Sequence, residues 1–258
     1  MAALTLEIGP VSRVTLNSPE IRNAFNDETI AELTRAFTQL GQDPQVCVIV
    51  LAAVGPAFCA GADLNWMRRM ADYNHAENLA DAAQLAEMLR VIYECPKPTI
   101  ACVQGDVYAG GMGLVAACDM AVSVDTANFC LSEVKLGLIP ATISPYVIRA
   151  MGARAAQRYF LTAERFDAGQ AQRIGFVHEV VNADRLDAKV AELTNALVTA
   201  SPAAVKACKQ LVQDVAGHEI SAALIDATVQ GIADIRASEQ GREGIQSFLQ
   251  KRKPSWLA

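Results

Sequence analysis

The sequence predicts an α/β fold in which strands and helices alternate in a winding ββα pattern, followed by a region that is mostly helical. Apolar, strand-like runs alternate with stretches of helical periodicity over the first part of the chain. Helical periodicity dominates from Ala153 onward. A chain of 258 residues with 52% hydrophobic and 19% charged side chains can bury a full core. We therefore expect a core with the active site over residues 1–195 and a helical C-terminal region over 196–258.

Each element follows from the period of its apolar residues and from the residues that end it. Alternating residues around Gly9-Pro10 indicate a hairpin, and Asn26 or Asp27 can cap a first helix. A helical end with few strands typically packs against another subunit or the mouth of a site. The predicted elements in order are strands 4–8 and 11–16, a helix to Leu40, strand 46–52, a short helix from Leu64, a helix over 76–93, strands 99–103 and 120–124, and helices 185–200, 202–215, 220–238 and 239–249.

Composition and charge exclude several classes of function. The formal net charge of −6 opposes binding to a phosphate backbone, so no nucleic-acid partner is expected. No apolar run is long enough to cross a bilayer, and we expect a cytoplasmic protein without a membrane partner. The seven cysteines show no CxxC spacing. They are interpreted as small buried hydrophobic residues in a reducing compartment, not as a nucleophile or a metal site.

Two turns rich in small residues predict a site that stabilises negative charge. Residues 59–64 (Cys-Ala-Gly-Ala-Asp-Leu) and 110–113 (Gly-Gly-Met-Gly) each follow a strand-like run and precede a helical stretch. Small residues leave backbone N–H groups uncovered, and a helix N-terminus adds positive potential. One such turn is more often an ordinary connection. Two turns aimed at one point would form an oxyanion hole for an enolate or a tetrahedral intermediate.

Glu133 is the candidate acid or base. It is an isolated acid in the apolar segment 129–140. Such surroundings disfavour the ionised carboxyl, so its pKa should rise toward the range useful for proton transfer. Alternatively, Glu133 forms an ion pair with Lys135 or caps the backbone. The segment by itself favours neither interpretation over the other. The position shortly after the second turn favours catalysis.

The order of these motifs resembles that of the crotonase (enoyl-CoA hydratase/isomerase) superfamily over nearly the whole chain. The matching segments are 23–25, 58–64, 105–111 with Cys118-Asp119, Glu133 with 137–140, and 248–253. Segments 65–70, 77–81 and 139–146 further resemble the bacterial methylglutaconyl-CoA hydratases of leucine breakdown and the isohexenylglutaconyl-CoA hydratases of terpenoid breakdown. The resemblance implies a crotonase-like spiral of ββα units with a C-terminal helical trimerisation region, and a homotrimer or hexamer.

The resemblance also implies roles for individual residues. Ala62 and Gly110 would donate their N–H groups to the thioester oxygen of an acyl-CoA substrate, with Glu133 as the acid and base. Coenzyme A enters as part of the substrate, and no separate cofactor is expected. Asp63 is expected chiefly to cap the following helix. The residues expected to contact substrate or CoA are Arg22, Ala24, Ala60, Asp63, Leu64, Arg69, Tyr108 and Gly111, with Phe248 and Lys251 closing the adenine end.

One departure from the family pattern leaves the reaction open. Hydratases of the family commonly use two glutamates, and the first falls where this chain has Gly113. Water could instead be held by Glu133 alone, by a second carboxylate of the substrate, or by the hydroxyl of Tyr108 or Tyr146. The leading hypothesis is reversible hydration of a 3-substituted glutaconyl-CoA, such as 3-methylglutaconyl-CoA or isohexenylglutaconyl-CoA. The alternatives are an enoyl-CoA isomerase that uses Glu133 alone and a weakly catalytic acyl-CoA-binding scaffold.

A glutaconyl group carries a second carboxylate, and its burial predicts a cation near the acyl end of the site. Arg68 and Arg69 follow the first turn by about two turns of helix. Because neighbours on a helix diverge by about 100°, at least one of them points to solvent. Arg69 is slightly favoured as the partner of the substrate carboxylate.

Overall fold

The computed structural model describes residues 3–257 and contains two sheets in that range. The larger sheet has six strands and the smaller has four. The strands are β1 (Leu4–Glu7), β2 (Val11–Leu16), β3 (Val48–Ala53), β4 (Ala57–Cys59), β5 (Thr99–Val103), β6 (Asp106–Tyr108), β7 (Met120–Val124), β8 (Asn128–Cys130), β9 (Phe166–Asp167) and β10 (Glu179–Val181). The larger sheet has the order β1-β2-β3-β5-β7-β10, and the smaller has the order β4-β6-β8-β9. Neighbouring strands are parallel except β1 with β2 and β8 with β9.

Helices connect the strands and form the C-terminal end. Of the two predicted caps, Asn26 is the residue that caps the first helix, because its side chain accepts a hydrogen bond from the Thr29 N–H at 3.0 Å. The helices are α1 (Asp27–Gln42), α2 (Leu64–Ala71), α3 (His75–Tyr93), α4 (Gly110–Ala117), α5 (Ser144–Thr162), α6 (Ala168–Arg173), α7 (Leu186–Val198), α8 (Pro202–Val215), α9 (Ala222–Ala237) and α10 (Glu239–Leu249).

From β3 to β8, consecutive strands alternate between the two sheets, and the chain therefore winds as a spiral. β3, β5 and β7 are neighbours in the larger sheet, while β4, β6 and β8 are neighbours in the smaller one. Each turn of the spiral adds one strand to each sheet and then a helix: α2 and α3 follow β4, α4 follows β6, and α5 comes after β8. The predicted α/β fold of winding ββα units is confirmed, and so is the helical C-terminal region.

The core lies around the central strands of the larger sheet. Every residue of β5 and all but the last of β3 are buried, as expected for parallel strands covered on both faces. Phe37 of α1 and Leu89 of α3 are at most 1% exposed and belong to the same apolar cluster. These two helices pack against each other and carry α2 between them in sequence. β4 and β6, which lead into the two small-residue turns, directly follow the buried strands β3 and β5 in the chain.

The sequence missed the short strands β4, β6, β8, β9 and β10, and it missed the start of α5. Strands of two or three residues offer too few positions for an alternating pattern. α5 begins at Ser144 with Pro145 in its first turn, and it is interrupted at Gly152, whose φ of 77° is not helical. The predicted boundary at residue 195 falls inside α7, which packs against β5 and β7. The two-part division stays a prediction.

The C-terminal helices have few buried side chains. No residue of α8 or α9 is fully buried in the described chain. Lys209 of α8 donates to Asp119 Oδ2 at 2.8 Å, which fixes α8 to the end of the loop before β7. No helix in residues 3–257 is both long and apolar enough to cross a membrane. A trimer or hexamer and a cytoplasmic location stay predictions.

Candidate active site

The two small-residue turns lie against each other. The first leads from β4 into α2, and the second leads from β6 into α4. Gly61 has a φ of 92°, and a Cβ built there would lie 3.0 Å from Ala109 Cβ and 3.7 Å from the Gly110 nitrogen. A Cβ on Gly111 would lie 2.8 Å from Cys59 Cβ. The predicted convergence of the turns is therefore present, and it depends on glycine where the two backbones meet.

The backbone leaves the two predicted donor groups unclaimed. Phe25 forms a parallel bridge with Ala62: the Phe25 N–H donates to Gly61 O, and the Asp63 N–H donates to Phe25 O, both at 2.9 Å. Because C=O and N–H of a trans peptide point in opposite directions, the Ala62 N–H points away from Phe25. Gly110 is the first residue of α4, so its N–H has no acceptor within the helix. Within residues 3–257 neither N–H donates a hydrogen bond to another backbone group, and their role as oxyanion donors stays a prediction.

Ala109 is held in a strained conformation beside the second donor. Its φ of 46° and ψ of −120° lie outside the regions that residues other than glycine commonly adopt. Such a conformation costs about 1–3 kcal/mol and persists where the surroundings impose it. Here the Ala109 N–H donates to Cys130 O of β8 at 2.9 Å, and Ala109 O accepts from Met112 N–H at 2.9 Å. The strain is located at the peptide unit that carries the Gly110 N–H.

Glu133 carries an oxygen without a partner. It begins a short 3-10 turn, Glu133–Leu136, that follows β8. Within residues 3–257, two buried side-chain oxygens have no hydrogen-bond partner, and they are Glu133 Oε2 and Gln104 Oε1. Burial raises the pKa of the Glu133 carboxyl, and its own backbone N–H lowers it by less. Among the described ion pairs none joins Glu133 to Lys135. The bond from its own backbone N–H agrees with the backbone-cap alternative, and proton transfer by Glu133 stays a prediction.

The segment before α1 carries the residues predicted for the CoA channel. Arg22 and Asn23 both adopt left-handed conformations, with φ of 54° and 53°. Asn23 is buried, and its amide holds this turn by bonds to Ser18 N–H, Val54 O and Ala57 O at 2.8 to 2.9 Å. The Ala60 N–H donates to Arg22 O at 3.0 Å. Arg22 and Ala24 thus lie beside Ala60 of the first turn, and the contact of all three residues with CoA stays a prediction.

The residues after the first turn divide between structural and exposed positions. Asp63 caps α2, since its carboxylate accepts from Asn65 N–H at 2.9 Å and Trp66 N–H at 3.0 Å. The predicted helix cap is confirmed, and the contact of Asp63 with substrate or CoA stays a prediction. Leu64 is 67% exposed. Arg69 is half exposed and donates to Asp27 Oδ1 at 2.5 Å.

The remaining predicted residues lie at different places. The Tyr108 hydroxyl is 3.4 Å from Asp106 Oδ2. Burial raises the pKa of this hydroxyl, and the charge of the Asp106 carboxylate raises it further. Gly111 is buried against Cys59, and its contact with substrate stays a prediction. Phe248, 82% exposed, and Lys251 lie on and just after α10, which packs against α8 and α9. Their role at the adenine end also stays a prediction.

Tyr146 packs against the end of α3. Its ring packs edge-on against Tyr93 with centroids 5.4 Å apart. Burial is the main cause that raises the pKa of its hydroxyl, and the negative charge of Glu94 at the end of α3 is the second. The hydroxyl therefore lies near the acidic end of α3. The role of Tyr146 in holding water beside Glu133 stays a prediction.

Ile143 fills the space that a side chain at position 113 would need. A Cβ built on Gly113 would lie 2.4 Å from Ile143 Cγ2, 2.9 Å from Ile143 Cβ and 3.4 Å from Leu89 Cδ2. Ile143 is 2% exposed and Leu89 is fully buried, so neither can move aside cheaply. A second acidic side chain at position 113 is thus excluded by packing as well as by sequence.

This packing predicts an unusual sign for one substitution. Glycine to alanine inside a helix ordinarily stabilises a protein by about 1 kcal/mol. Gly113→Ala should instead destabilise it by about 1–3 kcal/mol, because the added methyl overlaps Ile143. Urea denaturation measures the difference, and Ile143→Ala in the same chain should recover part of it. A Gly113→Ala protein as stable as the wild type would show that the contact is not tight.

Sequence reasoning missed three residues that shape the site. Asn23 and Phe25 belong to a segment that the resemblance had marked, yet their bonds to the turn could not be read from spacing. Ile143 lies thirty residues after Gly113. The missing side chain at Gly113 was the available signal, because a buried glycine implies that some neighbour occupies its space.

Comparisons with known proteins identify the family. The family model described as enoyl-CoA hydratase/isomerase matches residues 8–258. An enoyl-CoA hydratase of Shewanella pealeana is 42% identical, with a TM-score of 0.96 over 99% of this chain and 96% of that one. AtuE of Pseudomonas aeruginosa is 34% identical, with a TM-score of 0.94 over 100% of both chains. The mevalonyl-coenzyme A hydratase sidH of Aspergillus fumigatus is 35% identical over 94% of this chain and 90% of its own length. The chain therefore belongs to the enoyl-CoA hydratase/isomerase family of enzymes.

Proposed function

We propose that the protein hydrates the double bond of a 3-substituted glutaconyl-CoA, with Glu133 as the single acid and base. The observation that carries this proposal is the buried, unpartnered Glu133 Oε2 in a protein with two unclaimed N–H groups at adjoining turns. A carboxyl with a raised pKa can both take and return a proton. Two preorganised N–H donors stabilise the enolate that forms in between.

The proposed reaction requires one carboxylate and one water. The Glu133 carboxylate takes a proton from water as the water oxygen bonds to C3 of the acyl group. The electron pair of the C2=C3 bond moves toward the thioester, whose oxygen becomes an enolate held by the N–H groups of Ala62 and Gly110. Glu133 then returns its proton to C2, and the thioester carbonyl re-forms. Each donor to the enolate is worth about 3–4 kcal/mol in reactions of this kind.

The acyl group is proposed to be branched at C3. A relative at 35% identity is named a mevalonyl-coenzyme A hydratase, and a mevalonyl group carries a branch at C3. The contacts of Ile143 and Leu89 with Gly113 leave no space for a second carboxylate at that position, so the second carboxylate in the proposed reaction is that of the substrate. Segments 65–70, 77–81 and 139–146, which resemble the glutaconyl-CoA hydratases, support the same substrate.

Product identification tests this proposal against its alternatives. The purified protein is incubated with 3-methylglutaconyl-CoA, crotonyl-CoA and a 3-enoyl-CoA, and the products are identified by mass and by alkene position. The proposal predicts a gain of one water and the highest kcat/KM with 3-methylglutaconyl-CoA. The isomerase alternative is favoured by the single carboxylate of the site, and it predicts a shifted alkene without a change in mass. Binding without reaction would leave the scaffold alternative.

The second carboxylate of the substrate predicts a selective role for Arg69. Its ion pair with Asp27 is half exposed, and such pairs contribute about 0–1 kcal/mol, so a substrate carboxylate can compete for the guanidinium. We expect Arg69→Ala to lower kcat/KM for 3-methylglutaconyl-CoA at least tenfold and to leave crotonyl-CoA nearly unchanged. Arg68→Ala is the matched control, since Arg68 donates to the neighbouring Asn65 at 2.5 Å.

Two outcomes would contradict this role. Equal losses on both substrates would mean that Arg69 serves the CoA part or the stability of the fold. A selective loss in Arg68→Ala with none in Arg69→Ala would reassign the contact to Arg68.

A further inference from the structure

One aromatic residue, Phe25, lies against the backbone of both predicted donor residues, Ala62 and Gly110. The backbone of Phe25 forms hydrogen bonds on both sides of Ala62. The Phe25 N–H donates to Gly61 O, and the Asp63 N–H donates to Phe25 O, both at 2.9 Å. Its ring faces Gly110, where a Cβ would lie 2.4 Å from Phe25 Cζ. Phe25 is 1% exposed. A movement of this residue would therefore change the position of one donor relative to the other.

The ring of Phe25 is held by Trp66. The two ring centroids are 6.0 Å apart with an interplanar angle of 49°, within the range of favourable aromatic pairs. Trp66 is the one fully buried side chain of α2, and its backbone N–H donates to the capping Asp63. α2 is thus attached to the core mainly through this indole ring. Trp66 thus links α2, which follows the first turn, to the core.

Trp66 is in turn fixed by a carboxylate on a different helix. Trp66 Nε1 donates to Asp81 Oδ1 of α3 at 3.0 Å. An indole N–H in a buried ring costs about 1–3 kcal/mol when left without an acceptor, so this bond selects one orientation of the ring. The other described polar link from α2 to a different helix is the half-exposed pair of Arg69 with Asp27, which constrains α2 less.

We propose that Asp81, Trp66 and Phe25 form a positioning array that sets the geometry of the two oxyanion donors, with Asp81 acting from α3 through the indole N–H. None of the three supplies a hydrogen bond to the substrate in this account. Their effect is on how strongly the thioester carbonyl is polarised once it is bound. This inference rests on the donor assignment of the proposed function, and its test separates the two.

The test reads the polarisation of a bound thioester directly. The non-reacting saturated thioester [1-¹³C]butyryl-CoA is bound to each protein, and its carbonyl stretch is measured by infrared difference spectroscopy. In the wild type the stretch should shift to lower frequency, because two N–H donors polarise the carbonyl. Asp81→Ala and Trp66→Phe should each lose at least half of that shift. Their kcat on the best substrate should fall about tenfold or more with KM changed less than threefold.

Conservative and matched variants distinguish positioning from general stability. Asp81→Asn keeps an acceptor oxygen for the indole and should retain most of the shift and activity. Asp81→Ala combined with Trp66→Phe should be no worse than Trp66→Phe alone, because Trp66→Phe already removes the bond to Asp81. Asn74→Ala breaks the capping box at the start of α3 and costs about 1 kcal/mol. It should lower the melting temperature without changing the carbonyl shift.

Different outcomes would contradict the assignment of the oxyanion donors and the positioning array. A wild-type protein that binds butyryl-CoA without any carbonyl shift would overturn the donor assignment. A normal wild-type shift that persists in both Asp81→Ala and Trp66→Phe would overturn the positioning array alone. Loss of the shift in Asn74→Ala to the same extent would also overturn it, because the effect would then follow stability.

Discussion

Glu133→Gln is expected to lower kcat by about a hundredfold or more while leaving CoA binding intact. A positioned acid and base contributes about 10²–10⁴ to the rate, and glutamine cannot accept the proton from water. The variant keeps the size of the side chain and therefore the packing around it. Turnover at saturating substrate is the measurement. A value within tenfold of the wild type would remove Glu133 from the mechanism.

Stability and pH dependence provide the controls for this variant. Burial raises the pKa of Glu133 in the folded protein above its value in the unfolded chain. Ionisation of Glu133 therefore favours the unfolded chain. The contribution of the protonated carboxyl to folding stability is complete below the unfolded pKa and is lost as the pH rises through the folded pKa. Glutamine is not ionised at neutral pH and avoids this cost. We therefore expect the melting temperature of Glu133→Gln at pH 7 to equal or exceed that of the wild type. The acid limb of kcat/KM should lie above the ordinary pKa of glutamate.

Gly110→Pro is expected to abolish activity, because proline removes one of the two N–H donors. Loss of a single oxyanion donor costs about 10²–10³ in kcat. Proline is tolerated at the first position of a helix, where Gly110 lies in α4, so the helix itself should persist. Turnover with the preferred substrate is measured, and circular dichroism reports on the fold. A folded and fully active variant would refute the assignment of this donor.

Gly110→Ala is the matched control for the proline variant. Both substitutions place a Cβ about 2.4 Å from Phe25 Cζ and thus disturb the same ring. Alanine keeps the N–H, and proline does not. The ratio of the two activities therefore isolates the contribution of the hydrogen bond from that of the steric contact. Equal activities would attribute the whole loss to packing.

Local patterns predicted the elements that carry enough residues to show a period. β5, β7, α8 and α10 have the predicted bounds, because each is a long apolar or amphipathic run between clear breaks. The smaller sheet was missed because its strands have two or three residues each. Their placement depends on parallel pairing between distant segments, such as Val107 with Phe129. Nothing in a short segment specifies its partner.

The backbone features of the site could be predicted from the sequence, whereas the side-chain contacts that depend on packing could not. Glycine and alanine at the two turns indicated unclaimed N–H groups, and the structure brings those turns together. The contact of Ile143 with Gly113 joins side chains that the fold alone brings together. The bond from Trp66 to Asp81 crosses from one helix to the next. Such contacts follow from the spiral of the chain and not from any local period.

Oxygen transfer from labelled water tests the central claim most directly. 3-Methylglutaconyl-CoA is incubated in H₂¹⁸O with the wild type and with Glu133→Gln, and the label at C3 of the product is followed over time by mass spectrometry. We predict that the wild type forms a product with one ¹⁸O hydroxyl at a catalytic rate, and that Glu133→Gln does so at least a hundred times more slowly. An unlabelled product with a shifted double bond, or equal labelling rates for both proteins, would contradict hydration by Glu133.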